Sequence, residues 1–244
     1  MPEGKRPRTA KRGSLKHSPQ AKIAVRLPDY AEFAALLRSY FAATGTLPEP
    51  DEGKLTQLYT LLTQLYEWNH LINLTAIKDP YEAITLHLMD SAVISPLLQG
   101  QEIADVGTGA GFPGLVLAVL NPSRHFTLID AVAKKISFVM TVAGAMGLGN
   151  VTALCRRCED LAGTQLFDCV VCRAFAPLGR LAELCLPLVT KQGLVIAMKG
   201  RIEQSELCEA PKSVKIERII ELQVPGLKAA RQAVLFRPER HEEN

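Results

Sequence analysis

Apolar residues begin to recur at three- and four-residue spacing at Tyr30, where Phe33, Leu36, Leu37 and Tyr40 share one face until Gly45 and the Pro48 and Pro50 pair end the pattern. That spacing predicts an amphipathic helix. A second helix is predicted where Leu55, Leu58, Tyr59, Leu62, Leu65 and Tyr66 form one stripe. Asp51 and Glu52 open it, and their carboxylates suit the positive end of a helix dipole. A third runs from about Pro80 through Leu98, carries Ile84, Leu88 and Val93, and stops at Gly100.

Past Gly100 the rhythm changes to short apolar runs at 103–106, 126–129, 151–155, 167–172 and 194–198, separated by helical stretches. Such alternation predicts an α/β fold with a doubly wound, mostly parallel sheet and helices on both faces. Two later runs, 214–222 and 231–236, are separated by Pro225-Gly226 and a short polar loop. An antiparallel hairpin at the C-terminal edge of the sheet fits them. No internal repeat is present. The expected layout is a tail over 1–28, a helical cap over 29–99 and an α/β domain over 100–244.

Composition narrows the class. With 48% apolar and 22% charged residues among 244, and 17 Gly and 15 Pro, the chain is neither collagen-like, coiled coil nor wholly disordered. One domain with an appendage is expected at this length, with a core large enough to need no staples. Six cysteines, Cys155, Cys158, Cys169, Cys172, Cys185 and Cys208, accompany no apolar signal segment and no run long enough to cross a bilayer. Free thiols in a reducing cytoplasm, and no membrane, are therefore expected.

The formal charge of +3 is unevenly spread: residues 1–28 hold eight Lys or Arg against Glu3, for +7, which leaves −4 on the rest. A basic segment with few large apolar residues buries too little surface to offset its ordering entropy, so it reads as a disordered tail. Contact with nucleic acid, simple solvation and a transit peptide are the three readings of it. Few Ser and no clean amphipathic stripe weigh against the last.

The strongest local signal is Asp105-Val-Gly107-Thr-Gly109-Ala-Gly111-Phe112-Pro-Gly114, at the exit of the first strand of the sheet. Ligands of such sheets bind beyond the carboxyl ends of the strands. Alternating glycines remove Cβ atoms where the backbone turns sharply and let a ligand approach closely. A loop chosen only for tight strand-to-helix packing is the bland reading. Gly109-Ala-Gly111-Phe-Pro-Gly114 also satisfies the dinucleotide pattern G-x-G-x-x-G, but in that fold the first Gly follows the strand directly and a helix N-terminus receives a pyrophosphate. Here Asp105 ends the apolar run and Pro113 interrupts the loop. An acid beside the loop repels a pyrophosphate and suits a cationic ligand such as S-adenosylmethionine. Asp130, at the end of the second strand and 25 residues after Asp105, is placed to accept ribose hydroxyls. Taken alone such an acid is more often a helix cap, and dinucleotide enzymes use one too.

Cys155-Arg-Arg-Cys158 and Cys169-Val-Val-Cys172 match the spacing of a zinc site. Residues 167–172 read as a buried strand, in which positions three apart face opposite ways. No metal is therefore expected, and the cysteines are read as small buried hydrophobes.

Trp68-Asn69, Asn73-Leu-Thr75, His87-Leu-Met-Asp90-Ser91, the loop 105–114, Arg157-Cys158-Glu159, Phe167-Asp168, Arg173-Ala-Phe175 and Met198-Lys199-Gly200, in this order and spacing, resemble the bacterial small-subunit (16S) rRNA guanine-N7 methyltransferases, also called glucose-inhibited division protein B. The resemblance covers about residues 50–237 and leaves 1–28 outside. It implies a class I, Rossmann-like methyltransferase fold, S-adenosylmethionine as cofactor, and a guanine in the decoding-region loop of small-subunit rRNA, free or in an assembling subunit, as acceptor. By matched position Gly107, Gly109 and Gly111, with Asp105 and Phe112 beside them, line the methionine and ribose portions. Asp130 holds the ribose hydroxyls, and Arg157, Cys158 and Glu159 lie near the adenine. Arg173 and Lys199 flank the methyl group as the catalytic pair, Arg173 also meeting the cofactor. Arg231 matches a family position without an assigned role. Cys158 and Cys172 depart from the small residues expected there, which touches packing more than chemistry. The oligomeric state is left open, with a monomer as the working assumption.

The implied chemistry is consistent with the residues. Guanine N7 carries a free lone pair, so methylating it needs alignment and charge rather than a general base. The chain has no Asn/Asp-Pro-Pro-aromatic loop to cradle an exocyclic amine, and 173–177 instead presents a cation and an aromatic, Phe175, suited to stack on an extruded base. Arg173 and Lys199 could equally cap strand ends or pair with acids. His87 reads as structural, and Trp68 and Asn73 as locks between cap and sheet. The rivals are a same-fold methyltransferase with a protein or small-molecule acceptor, a nicotinamide-dependent dehydrogenase, and a zinc-stabilised RNA-binding module.

Overall fold

The computed structural model describes residues 26–173, 176–208, 211 and 214–239. Residues 1–25 of the basic tail and Phe175 lie outside the described residues. The first helix, α1 (Tyr30–Thr44), starts at a capping box: Asp29 Oδ1 accepts the Glu32 N–H at 2.8 Å while Glu32 accepts the Asp29 N–H at 3.3 Å. Gly45 ends it in the left-handed conformation, φ 63°, which glycine adopts without a Cβ clash. Helix α2 (Glu52–Ile72) is capped by Asp51, whose carboxylate accepts the Lys54 N–H, and ends at Asn73, also left-handed. Asn69 then closes the following turn, accepting the Thr75 N–H at 2.8 Å and donating to the Thr75 carbonyl.

The third helical stretch differs from the uniform helix predicted. It begins as α3 (Pro80–Ala83), with Pro80 at the position where a missing N–H costs nothing, widens to a π-helical turn over Ile84–Met89, and resumes as α4 (Asp90–Ala92). A 3-10 turn over Ser95–Leu97 follows, because Pro96 cannot donate into a continuing helix. Short π turns recur at functional sites, and this one carries His87.

Beyond it alternate β1 (Glu102–Val106), α5 (Gly114–Leu120), β2 (His125–Asp130), α6 (Ala133–Ala145), β3 (Val151–Cys155), β4 (Phe167–Arg173), α7 (Leu178–Cys185), β5 (Val189–Lys199), α8 (Gln204–Cys208), β6 (Val214–Glu221) and β7 (Gln232–Pro238). The sheet order is β3-β2-β1-β4-β5-β7-β6. The first five strands are parallel and β7 and β6 antiparallel, as the late apolar runs predicted. Strand β5 starts five residues before its apolar run, because Thr190, Lys191 and Gln192 extend past the core into partly or fully exposed positions. The chain reverses direction across the sheet between β1 and β4, so the crevice at their carboxyl ends is where such folds bind ligands.

The two faces of the sheet bury separate cores. Phe33, Leu58 and Leu62 of the N-terminal helices pack with Phe126, Phe138 and Cys169 on one face; Leu181 and Cys185 of α7 pack with Val170 and Cys172 on the other. Helices α1 and α2 thus form the layer that, with α5 and α6, covers one face. Trp68 meets the Phe138 ring edge-on at 5.7 Å, the lock read from sequence. Cys169 and Cys172 point to opposite faces, as the strand period requires, so the four thiols of the two C-x-x-C pairs do not converge. Among the described residues no helix is long and apolar enough to cross a membrane.

Candidate active site

The loop leaving β1 is tied down at both ends. Strand β1 runs one residue past Asp105, to Val106, and the N–H groups of Gly107 and Thr108 both donate to the Ile129 carbonyl on β2 at 2.9 and 3.0 Å. Asp105 lies beneath the loop, fully buried, where its Oδ2 accepts from Thr108 Oγ1 at 2.6 Å and from the Gly114 N–H at 2.8 Å. Burial pushes its pKa up to about 6, against those hydrogen bonds. Its Oδ1 is buried and has no partner among the described residues.

The glycines divide between two roles. Gly107 and Gly109 have φ of 72° and 61°, and a Cβ on Gly109 would meet nothing nearer than the Gly107 carbonyl at 3.9 Å. They supply the turn and leave clear space beside it. A Cβ on Gly111 would lie 2.3 Å from Leu115, and one on Gly114 2.7 Å from Asp105 and Leu128. Close packing against Leu115 of α5 requires glycine at 111, and packing against Asp105 and Leu128 of the strands requires it at 114.

A cavity of about 320 Å³ opens beside Gly107 and Asp130. Asp130 is nearly buried; its Oδ2 accepts the Gly109 N–H at 3.0 Å and Oδ1 accepts the Val132 N–H at 2.9 Å. Lys135 Nζ stands 3.3 Å from Oδ2. Arg157, Cys158 and Glu159 line the opposite wall, with Arg156. Cys158 donates its S–H to Glu159 Oε2 at 3.3 Å, and burial raises the thiol to about 11, so it is protonated at neutral pH. The acid holds a second partner, Arg180, at 2.9 Å. The expected cofactor residues on β2 and after β3 therefore share one cavity with Gly107.

A second cavity, of about 400 Å³, opens between the π turn with α4 and the ends of β4 and β5. Arg173, ending β4, and Lys199, ending β5, both line it, as their adjacent parallel strands require. Neither cation is loose. Arg173 donates to the Leu86 carbonyl at 3.1 Å and sits 5.6 Å above the Phe112 ring centre. Lys199 pairs closely with Glu206 and donates to the Ala176 carbonyl. Phe112 is buried and stacks on His87, ring centres 4.6 Å apart, so its contacts face this second cavity rather than the first. His87 shares a 2.8 Å hydrogen bond between Nε2 and Thr75 Oγ1. Burial, helped by the charge of Arg173, lowers its pKa to about 3 and keeps the ring neutral.

Sequence reasoning gave no role to Asp90 or Arg231. Asp90 sits in α4, nearly buried, with Oδ1 3.0 Å from Arg231 Nε and Oδ2 3.8 Å from Arg173 Nη1. Arg231 arrives from the loop before β7, which presses on the cap so closely that a Cβ on Gly226 would strike Tyr40 and Thr85. Lys135 and Arg156 beside the first cavity were also missed, since helix and loop cations read as solvated surface.

The family model described as "GidB: rRNA small subunit methyltransferase G" matches residues 54–235. The chain belongs to this family. Relatives named "Ribosomal RNA small subunit methyltransferase G" include one from Pasteurella multocida, 42% identical over 181 residues, 74% of this chain and 86% of that one. Another, from Aeromonas salmonicida, is 40% identical over 75% of this chain and 88% of its own length. The fold is that of solved class I methyltransferase-like structures. A point mutant of MtNAS in complex with S-adenosylmethionine aligns at TM-score 0.52 and 13% identity, over 85% of this chain and 78% of that one. Coclaurine N-methyltransferase bound to N-methylheliamine and SAH aligns at 0.52 and 10%, over 86% and 96%. The family's matched span covers both cavities and every residue assigned to them.

Proposed function

We propose that the protein transfers a methyl group from S-adenosylmethionine to N7 of a guanine in the decoding-region loop of small-subunit rRNA, acting in the cytoplasm, with the helical segment 29–99 serving as a cap on the methyltransferase domain 100–244. The first cavity and the loop beside it suit the cofactor: Gly107 and the Asp130 carboxylate line the cavity, and the adjoining turn has clear space over Gly109. Gly107, Gly109 and Asp130 would hold the sugar and methionine portions, and Arg157, Cys158 and Glu159 the adenine. Bound there, S-adenosylmethionine supplies an electrophilic methyl on a cationic sulfur.

The observation that carries the acceptor assignment is the second cavity: Arg173, Lys199 and Arg231 line it together, and the one histidine among its described lining residues is buried and held neutral. Cations suit RNA phosphate and the O6 and N7 edge of guanine. An acceptor with a free lone pair asks for no base, and the neutral, buried His87 is not suited to act as one. Arg173 and Lys199 orient the nucleotide, and rate follows from that alignment. Transfer of labelled methyl to small-subunit rRNA, followed by mapping of the modified nucleotide, tests the reading. Label on guanine N7 in the decoding-region loop is expected; label on protein, on another base, or none on RNA overturns it.

A further inference from the structure

We infer that Asp90 is the residue that selects guanine, its free carboxylate oxygen accepting the N–H donors of the base's Watson–Crick edge. The inference rests on the reading of the second cavity as the acceptor site. Among the described residues lining that cavity, Asp90 is the one carboxylate; the other charged groups, Arg173, Lys199 and Arg231, are donors only. Donors suit O6, N7 and phosphate, and they would equally suit the acceptor atoms of other bases. Guanine differs in offering two adjacent donors, N1–H and the 2-amino group, and only a group that accepts without donating matches both. Adenine would set the lone pair of its N1 against a carboxylate and be repelled. Enzymes that work on an extruded base commonly read that edge.

The two oxygens of Asp90 are not equivalent. Oδ1 accepts from Arg231 Nε at 3.0 Å, whereas Oδ2 makes no hydrogen bond among the described residues and has Arg173 at 3.8 Å. A nearly buried carboxylate with one oxygen committed and one lacking a close partner carries an unspent acceptor into a cavity otherwise lined by donors and by Ile77, Leu86 and Met198. Burial lifts its pKa above the ordinary carboxylate value, and the charges of Arg231 and Arg173 act against that shift. Its place on the short α4 just after the π turn fixes it by backbone rather than by a flexible loop.

The test is a two-by-two comparison of single-turnover methylation: wild type and Asp90→Asn, each on an rRNA fragment carrying guanosine or inosine at the acceptor position. Inosine keeps N7, O6 and N1–H and lacks only the 2-amino group. The wild type should methylate inosine about 10- to 100-fold more slowly, the range for one hydrogen bond to a charged group. In Asp90→Asn that ratio should fall to within about twofold of unity, because the amide carbonyl stays committed to Arg231 Nε and the oxygen facing the base becomes an NH2 that cannot accept from the amino group. Two results overturn the inference: equal wild-type rates on the two bases, or an undiminished inosine penalty in Asp90→Asn, which would leave Asp90 only a positioning residue for Arg173 and Arg231. Should Asp90→Asn fail to fold by circular dichroism, Asp90→Glu keeps the charge for both arginines while displacing the oxygen, and the same ratio decides. A wild type inactive on the guanosine fragment would instead refute the acceptor assignment.

Discussion

Asp130 Oδ2 accepts the backbone N–H of Gly109 at 3.0 Å, so the last residue of β2 grips the turn that leaves β1. The same carboxylate lines the first cavity, so on the proposed reading one side chain both holds the loop and meets the ligand. Asp130→Ala is expected to weaken S-adenosylmethionine binding by about 1.5–3 kcal/mol, the range for hydrogen bonds to a charged group, with RNA affinity nearly unchanged. Titration calorimetry reads the first quantity and filter binding the second. Equal cofactor affinity in variant and parent would remove Asp130 from the site.

Arg173 and Lys199 end neighbouring strands and reach one cavity, yet both are already anchored, to the Leu86 and Ala176 carbonyls respectively. Anchored cations position rather than merely attract. Replacing either by Ala should therefore lower the single-turnover rate more than RNA affinity, since misplacement by about 1 Å can cost on the order of 100-fold. A variant that loses affinity and rate in equal measure would assign these residues to general RNA binding instead.

Cys172 precedes Arg173 and is fully buried, and Cys158 lines the first cavity as a neutral thiol. Methylation of a ring nitrogen requires no covalent enzyme intermediate. Cys158→Ser and Cys172→Ala should keep the methyl-transfer rate within a few-fold, with Cys172→Ala losing on the order of 1 kcal/mol of stability from the small void. A trapped protein–RNA adduct, or loss of activity in a variant that still folds, would show a nucleophilic role.

The sheet was legible because its central strands are buried on both sides and so appear as unbroken apolar runs. The pairing of Asp130 with the glycine loop was legible because both lie at the carboxyl ends of adjacent parallel strands, which the apolar runs already placed. The cation pair was placed only once parallel pairing set Arg173 beside Met198 and Lys199. Asp90 was not singled out as a site residue in sequence: an acid in the middle of a predicted helix looks like a solvated one, and the residue that pairs with it where it is buried, Arg231, lies 141 positions later. The π turn is equally silent in sequence, since helical and π periodicities are not separable over six residues. Phe112 and Gly111, singled out with the loop, are also packing residues, against His87 and Leu115 respectively.

His87 and Asp105 make opposite contributions to stability as pH changes. The fold keeps His87 neutral, with its pKa lowered from 6.5 to about 3, so that contribution is present above pH 6.5 and lost as pH falls toward 3. Asp105 is raised from 3.8 to about 6, so its contribution is present below pH 3.8 and lost as pH rises through 6. Each amounts to about 3 kcal/mol between roughly pH 7 and 4 by linkage, and the two largely cancel in the parent. Relative to wild type, Asp105→Asn should lose stability on acidification over that window, and His87→Gln should gain it. Urea denaturation at about pH 7, 5.5 and 4 reads both slopes; parallel pH profiles for all three proteins would overturn the paired assignment.

The last prediction concerns the basic N-terminal segment. Leu27 packs against the core and the Pro28 carbonyl accepts from Tyr59 Oη at 2.9 Å, so the deletion that spares the fold is residues 1–25. Those residues carry seven Lys or Arg against Glu3, a net +6. On the sequence reading of this segment as a basic tail that meets nucleic acid, its contribution is contact with phosphate. Removing one phosphate contact should reduce the slope of log affinity against log salt by about 0.7–0.9. Deletion of 1–25 should therefore weaken RNA binding at low salt, flatten that slope, and leave both cofactor affinity and the rate at saturating RNA unchanged. If the slope is the same with and without the segment, the phosphate contacts belong to the folded domain, where Arg156, Arg157, Lys135 and Arg231 border the two cavities, and neutralising those residues singly should then produce the flattening.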